Sequence, residues 1–366
     1  MSDRLSRLTS QLDALQADAF LVTDEINVRY LSGFTGDSSS LLVSANSTRM
    51  LSDGRYKEQI EDECPGLEAL IRSPAEKPHE FIAKVIADGM PAGIANPRLA
   101  IEADQMNLAT FAHLKPLLPQ VHWVETSGVV GKLRQIKDAG EIEILRSSVK
   151  INERALQSVL AKLGSDWSEI EVAYEIEATI RRLGASGFSF DPIIGAGPGG
   201  AKPHYRPDAT LIGDHTALLI DWGTQLEGYA SDLTRCFHFG NPPARFESAY
   251  SAVLDAQLAA IEAIRPGATG AEVDAAAREV LRCAGLDEYF VHGLGHGVGL
   301  EIHEQPRLSS VSEDILQPGM VITVEPGVYF EGDFGIRIED DVLVTEDGNE
   351  VLSELAKGLD DCRVIL

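Results

Sequence analysis

Three things are scarce in this chain, and each scarcity closes off a class of function. Only four cysteines (Cys64, Cys236, Cys283 and Cys362) occur in 366 residues, and no two form a C-x-x-C pair. That spacing gives neither a zinc ribbon nor a dithiol redox motif. A chain of this size with so few cysteines does not depend on disulfides, which suits a reducing compartment. Basic residues are also few: 31 Lys and Arg stand against 57 Asp and Glu, a net charge of −26. Such a surface is unsuited to displacing counterions from nucleic acid or to a polybasic contact with a membrane, so neither partner is expected. The plain meaning of the charge is solubility. Long apolar runs are missing as well, and nothing is long enough to span a bilayer. Residues 1–7 lead into a polar helical pattern without the apolar core of a signal peptide. The expected location is the cytoplasm.

What is present fits an ordinary globular protein, 44% hydrophobic and 24% charged, with enough chain for two domains. Leu5, Leu8, Leu12 and Leu15 lie at helical spacing and predict a helix over 5–17. Ala19–Val22 reads as a buried strand, Leu31–Gly36 as a loop, and Ser40–Val43 and Arg49–Leu51 as strands. Helix and strand signals alternate to about Val124, with a loop over Pro91–Pro97, which predicts a small α/β domain. Gly128–Gly140 reads as a boundary around the basic piece Lys132–Lys137. Helices are predicted from Glu141 toward Leu160 and over Ser168–Leu183. A helical block, Ser248–Arg265 and Ala271–Ala284, then interrupts short β-like runs and glycine-rich turns. Two domains are expected, residues 1–131 and an α+β domain over 132–366.

The second domain places acids where acids are costly. Ala217-Leu218-Leu219-Ile220-Asp221 is an apolar strand ending on a carboxylate, and after a glycine-bearing turn the chain returns through Asp232. This reads as an antiparallel hairpin with one acid on each strand. The device recurs: Val321–Val324 runs into Glu325, and the chain returns through Ile336–Asp340, so that Glu325 and Glu339 pair across a second hairpin. A buried carboxylate must be paired, protonated or bound to a cation, and two that face each other repel unless a cation lies between them. A single such acid is ordinarily solvated or bridged, here by Arg235 or Arg337. Two acid-bearing hairpins in one chain favour a metal.

Three of the nine histidines, His292, His296 and His303, fall in one glycine-rich stretch, Val291–Gln305. Its glycines permit close backbone approach and positive φ. Such a cluster is suited to supplying ligands and proton carriers. His204, in Gly200-Ala201-Lys202-Pro203-His204, is a fourth candidate on a loop. Oxygen-rich ligation with one imidazole suits Mn²⁺, Co²⁺ or Zn²⁺.

Taken in order, these residues form a set: Asp221-Trp222-Gly223, Tyr229-x-Ser231-Asp232-x-Thr234-Arg235, His292-Gly-Leu-Gly-His296-Gly, His303-Glu-x-Pro306, Glu325-Pro326-Gly327 and Gly335-x-Arg337-x-Glu339-Asp340. The set resembles the prolidase and aminopeptidase P family of pita-bread metallopeptidases, over the whole of the second domain. Tyr30–Phe34 and Asp53-Gly54-Arg55-Tyr56 make the first domain similar to the creatinase-type N-terminal domain. The resemblance implies a pita-bread fold with a pseudo-two-fold repeat. It also implies a two-metal site held by Asp221, Asp232, His296, Glu325 and Glu339, with Asp232 and Glu339 bridging. His204, His292 and His303 match the family's substrate-binding and proton-shuttling histidines, and Arg337 matches an arginine behind the ligands. Arg307, in His303-Glu-Gln-Pro-Arg307, resembles the prolidase arginine that holds a dipeptide's C-terminal carboxylate. Trp222 departs from the pattern, where a smaller apolar residue is common.

The expected activity is hydrolysis of Xaa-Pro bonds by water shared between two divalent ions, Mn²⁺ first. Glu325 would serve as proton acceptor and His303 as oxyanion stabiliser, with a lean toward the dipeptidase, acting on a proline-containing dipeptide. Aminopeptidase P acting on longer peptides is the first alternative. Methionine aminopeptidase usually lacks a domain like residues 1–131, and creatinase-like amidinohydrolases lack this ligand set. A catalytically inactive binding module on the same fold would be marked by lost ligands, and none is lost here. The resemblance also suggests a homodimer.

Overall fold

The structure is a computed structural model that describes residues 3–90 and 94–365. The chain divides into two compact units, Met1–Arg134 and Gln135–Leu366.

The first unit carries six strands: β1 (Ala19–Val22), β2 (Ser40–Ser44), β3 (Thr48–Asp53), β4 (Glu68–Arg72), β5 (Arg98–Glu102) and β6 (His122–Thr126). They form one sheet in the order β4-β3-β2-β1-β5-β6. The hairpins β1–β2 and β2–β3 are antiparallel, whereas β3–β4, β1–β5 and β5–β6 are parallel. The helices are α1 (Asp3–Gln11), α2 (Glu25–Ser32), α3 (Lys57–Glu63), α4 (Pro78–Gly89), α5 (Leu108–Leu117) and α6 (Val129–Gln135), of which α3 lies in the crossover from β3 to β4 and α5 in that from β5 to β6, as parallel pairing needs. Leu21, Leu42, Ile86, Leu99 and Leu114 are at the centre of a core between sheet and helices.

Two expectations for this unit change. The helix expected over 5–17 stops at Gln11, because the chain turns toward β1 through Gln16 at φ 53°. Leu31 and Ser32, read as loop, end α2: Asp24 caps its start by accepting from the Asn27 amide, and Gly33 closes it at φ 85°. Of the loop expected over Pro91–Pro97, residues 91–93 lie outside the described residues.

The second unit is built twice over. Each half begins with a helix pair, α7 (Ala139–Leu160) with α8 (Glu169–Arg182), then α9 (Ala244–Ala263) with α10 (Gly270–Cys283). The second helix of each pair opens on a capping box, Ser168 with Glu171 and Thr269 with Glu272. In each, an isolated bridge joins the cap residue to a later loop, Ser168 to Leu211 and Thr269 to Ile315. The strands of the first half are β7 (Gly187–Phe188), β8 (Ile193–Ala196), β9 (Ala217–Trp222), β10 (Thr224–Leu226), β11 (Tyr229–Ala230) and β12 (Leu233–Phe239). Those of the second are β13 (Gly295–Gly297), β14 (Glu304–Leu308), β15 (Val321–Val324), β16 (Gly327–Phe330), β17 (Phe334–Arg337), β18 (Asp340–Val344) and β19 (Asn349–Val351), with β20 (Arg363–Val364) following. The main sheets run β20-β12-β9-β8 and β14-β13-β15-β18-β19. A bridge between Thr234 and Glu339 stitches them together beside the acids.

Both expected hairpins exist, but in two tiers. β9 pairs with β12, and β15 with β18, while the intervening residues fold back as separate pairs, β10–β11 and β16–β17. Asp232, Glu325 and Glu339 therefore sit at the breaks between tiers rather than inside strands. A break leaves side chains free of the ladder's fixed alternation, so acids from both hairpins can converge.

Candidate metal centre

The end of β9 is fixed from behind by α7. Asn152 donates to the Trp222 carbonyl at 3.0 Å, the Trp222 indole donates to the Asn152 carbonyl at 3.1 Å, and the Thr224 hydroxyl donates to Asn152 Oδ1 at 2.9 Å. Trp222 is completely buried, so the large side chain anchors the strand that presents Asp221. Asp232 is held by its own amide, which donates to Asp341 Oδ2 at 3.0 Å. Glu339 accepts from the Thr234 hydroxyl at 2.6 Å. Ligand atoms of Asp221, Asp232 and Glu339 all lie within 4.8 Å of one another, and all three residues are buried.

The other half adds an imidazole and a fourth acid. His296 sits on β13, flanked by Gly295 and Gly297. A Cβ on Gly295 would lie 2.1 Å from the Thr323 carbonyl oxygen, and one on Gly297 would lie 2.2 Å from that of Gln305. The close approach expected of these glycines is real. The positive φ is not, since Gly293, Gly295, Gly297 and Gly299 all lie outside that region. His296 Nε2 is 3.4 Å from Glu325 Oε1 and 3.8 Å from Asp232 Oδ2. Burial drives its imidazole down to about 3, with His303 adding to the effect, so the ring is neutral and fit to ligate.

Electrostatics mark the floor of the site as unfinished by protein groups alone. Burial pushes Asp232 and Glu339 well above the usual carboxylate range, and neighbouring acids push further, Glu339 and Asp221 on Asp232, Glu325 and Asp221 on Glu339. Burial also raises Asp221, although the Arg337 guanidinium bonded to it pulls the other way. Glu325 rises to about 8, mainly through burial. Asp221 Oδ1 and Asp232 Oδ1 are buried without a hydrogen-bond partner among the described residues. Orphaned anionic oxygens converging from two hairpins are a donor set that suits hard divalent cations, and the neutral imidazole beside them suits the borderline ones.

These groups floor a cavity of about 640 Å³ that also takes in His204, His292, His303, Arg307 and Arg337. The candidate metal ligands, histidines and substrate-binding arginines named from the sequence therefore line one cavity, whereas Trp222 and Arg235 lie outside it. Their states differ. His303 is exposed and meets His296 edge-to-face at 4.4 Å. His204 is exposed on a loop whose flanks are held by Glu169, which accepts from the amides of Ala196 at 2.7 Å and Asp208 at 3.1 Å. His292 is fully engaged: Nδ1 lies 2.8 Å from the Gly293 carbonyl and Nε2 2.8 Å from the Tyr329 hydroxyl. A carbonyl only accepts, so Nδ1 carries the proton and Nε2 accepts from Tyr329, which in turn accepts from Arg337 at 2.6 Å.

Two residues of the site escape the sequence reading, Asp341 and Tyr329, and Thr234 enters it only as part of a motif, without a role. Asp341 had a local signal, the acid run Glu339-Asp340-Asp341 in which alternate residues share a face. Tyr329 carries no signal beyond lying close to the acids in the chain, and nothing in the sequence says that the Thr234 hydroxyl donates to Glu339.

A compact α/β unit followed by a twice-built unit with a carboxylate-floored, histidine-lined cavity defines a two-domain metallopeptidase. Comparison with known proteins names its kind. Residues 143–346 match Metallopeptidase family M24 and residues 4–136 match the Creatinase/Prolidase N-terminal domain; the chain belongs to family M24. It is 36% identical to the Bacillus subtilis (strain 168) protein "Uncharacterized peptidase YqhT", over 97% of this chain and 99% of that one. Among solved structures it superposes on an Xaa-Pro dipeptidase from Bacillus anthracis with a TM-score of 0.92 and 36% identity, covering 100% of this chain and 99% of that one. It is also similar to an X-Pro aminopeptidase from Thermotoga maritima MSB8, with a TM-score of 0.88 and 33% identity, covering 100% of both. The fold is thus a creatinase-type N-terminal domain with a pita-bread catalytic domain. The family uses divalent metal, and a buried carboxylate cluster is present to receive it. Among the described residues no helix is long and apolar enough to cross a membrane.

Proposed function

We propose that the protein is a metal-dependent exopeptidase that hydrolyses Xaa-Pro bonds, acting chiefly as a dipeptidase. Asp221, Asp232, His296, Glu325 and Glu339 would hold two divalent ions, Mn²⁺ ahead of Co²⁺ or Zn²⁺. Bound there, the ions would supply Lewis-acid polarisation and lower the pKa of water toward neutrality. Glu325 Oε1 would take up the water's proton and return it to the leaving proline nitrogen. His303 would donate to the oxyanion as the carbonyl becomes tetrahedral. His204 would contact the substrate from its loop. His292 would shape the proline pocket through Tyr329, because both its ring nitrogens are engaged. Arg337 would keep Asp221 ionised and oriented. A homodimer and a cytoplasmic location belong to the same reading.

The observation that supports metal hydrolysis most strongly is the pair of buried, unpartnered oxygens on Asp221 and Asp232 at the cavity floor. The lean to dipeptides rests on Arg307. Its side chain lines the cavity and makes no hydrogen bond or ion pair among the described residues, so its fork is available to a C-terminal carboxylate. The alternative, aminopeptidase P acting on longer peptides, is favoured by the equally full superposition on the Thermotoga maritima enzyme. The deciding experiment compares Ala-Pro with Ala-Pro-Ala on Mn²⁺-loaded protein, with a chelated control. Cleavage of the dipeptide alone supports the dipeptidase. Cleavage of the tripeptide moves the assignment to aminopeptidase P, and metal-independent or absent cleavage of both sinks the proposal.

A further inference from the structure

The segment Phe290–Leu294 carries His292 and leads directly into β13, yet it belongs to no strand. Its backbone polar groups still need partners, and α10 provides them through one ion pair. Arg278 donates to the carbonyls of Phe290 at 3.2 Å and His292 at 2.5 Å. Asp274, one turn earlier and completely buried, accepts from the Leu294 amide at 3.2 Å. The two side chains lock each other, with Arg278 Nε 2.7 Å from Asp274 Oδ2 and Nη2 3.3 Å from Oδ1. The guanidinium also stacks over the Phe290 ring at 4.2 Å, and that ring meets His292 edge-on at 5.0 Å. Three alternate backbone groups are therefore held as a neighbouring strand would hold them, by a fork that only arginine supplies.

We propose that Asp274 and Arg278 form a positioning pair for the peptidase site, setting where His292 stands against Tyr329 and the cavity wall. The proposal rests on the functional reading above. Neither residue lines the cavity floor, and both act through the histidine segment. Glu169 holds the His204 loop from α8 in a comparable way, so each half of the unit tethers a candidate histidine through a buried acid on its second helix.

The test uses full-length, Mn²⁺-loaded enzyme and whichever of Ala-Pro or Ala-Pro-Ala it cleaves. Arg278→Lys keeps the charge and removes the fork. We expect kcat/KM to fall about 10- to 100-fold, the range for small misplacements of a binding group, with metal content unchanged and faster amide exchange in 290–294. In a His292→Ala background the same substitution should cost less than about twofold, since residues acting through one another are non-additive. Asp274→Asn keeps an oxygen for the Leu294 amide and should show a smaller loss of the same kind. Arg282→Lys, in an exposed pair with Glu279, should behave as wild type. A full loss repeated in the His292→Ala background would reduce the pair to general support of the fold, and wild-type kinetics in Arg278→Lys would overturn the proposal. If the wild-type enzyme cleaves neither peptide, the functional reading fails by itself. Amide exchange then decides the tether alone, with unchanged protection in Arg278→Lys counting against it.

Discussion

Glu339 and Asp340 are consecutive, both are about 1% exposed, and the protein treats them in opposite ways. Asp340 faces cations built into the chain. Arg235 donates to its Oδ1 at 2.7 Å, Lys357 to its Oδ2 at 2.5 Å and Gln257 to the same oxygen at 2.7 Å, with Ser353 completing the set. Burial opposes ionisation, but Arg235 and Lys357 outweigh it and hold the carboxyl well below the usual range. Glu339 points to the other face, among Asp221, Asp232 and Glu325, and burial with those neighbours drives it the other way. Among the described residues, Arg337 is the one cationic side chain bonded to that group, and it reaches only Asp221. A fold that neutralises one buried acid so completely, and leaves its neighbour without a cation, separates a structural ion pair from a site that expects its cations from solution.

The sharpest way to break this comparison is to remove the two charges in turn. Glu339→Gln should take bound metal and peptidase activity to the detection limit, read by metal analysis and peptide cleavage. Chelated Glu339→Gln should be no less stable than chelated wild type, because a repelled charge has gone. Retained metal and turnover would erase the distinction. His303→Ala, on the open side of the cavity, should lower kcat roughly 100- to 10,000-fold, the usual range for a proton-handling or oxyanion group, while metal content stays intact. An unchanged rate removes His303 from the mechanism. Asp340→Asn should act in the opposite sense to Glu339→Gln, with metal content kept and about 3–5 kcal/mol of stability lost, because Arg235 is left buried without its counter-charge. The urea midpoint reads this, and loss of metal without loss of stability would count against it.

Much of the catalytic unit can be read from the sequence, because acids at the ends of apolar runs and histidines between glycines are visible without coordinates. The sequence also offers Arg235 and Arg337 as ion-pair partners for a strand-end acid, and both are used: Arg337 bonds Asp221, and Arg235 bonds Asp340. What it does not say is which acid receives which fate. That depends on strand alternation at the break before β18, and on Lys357 and Gln257 arriving from distant segments. The two-tier hairpins are hidden because β10 and β11 have 3 and 2 residues, too short for alternation to show. The Asp274–Arg278 tether is hidden for a different reason. In the helix it looks like an ordinary i,i+4 pair on a solvated face, and only the fold reveals what lies against it.

The smallest effect is the most discriminating for the structural side. Lys357 is 21% exposed, and its ammonium shares Asp340 Oδ2 with Gln257. Lys357→Met retains much of the apolar stem and removes the charge. If Arg235, which is completely buried, is the principal counter-ion, Asp340 stays ionised and satisfied by Arg235, Gln257 and Ser353. The loss should then be about 1 kcal/mol, the size of one hydrogen bond to a charged group discounted for solvent access, with metal content and kcat unchanged. A loss as large as that of Asp340→Asn would make Lys357 the principal counter-ion instead. No loss at all would mean that the single arginine suffices to hold Asp340 ionised. Arg337, among the described residues the one arginine bonded to the opposite face, faces four carboxylates where Arg235 is paired with one, and the same arithmetic explains why it leaves them short of positive charge.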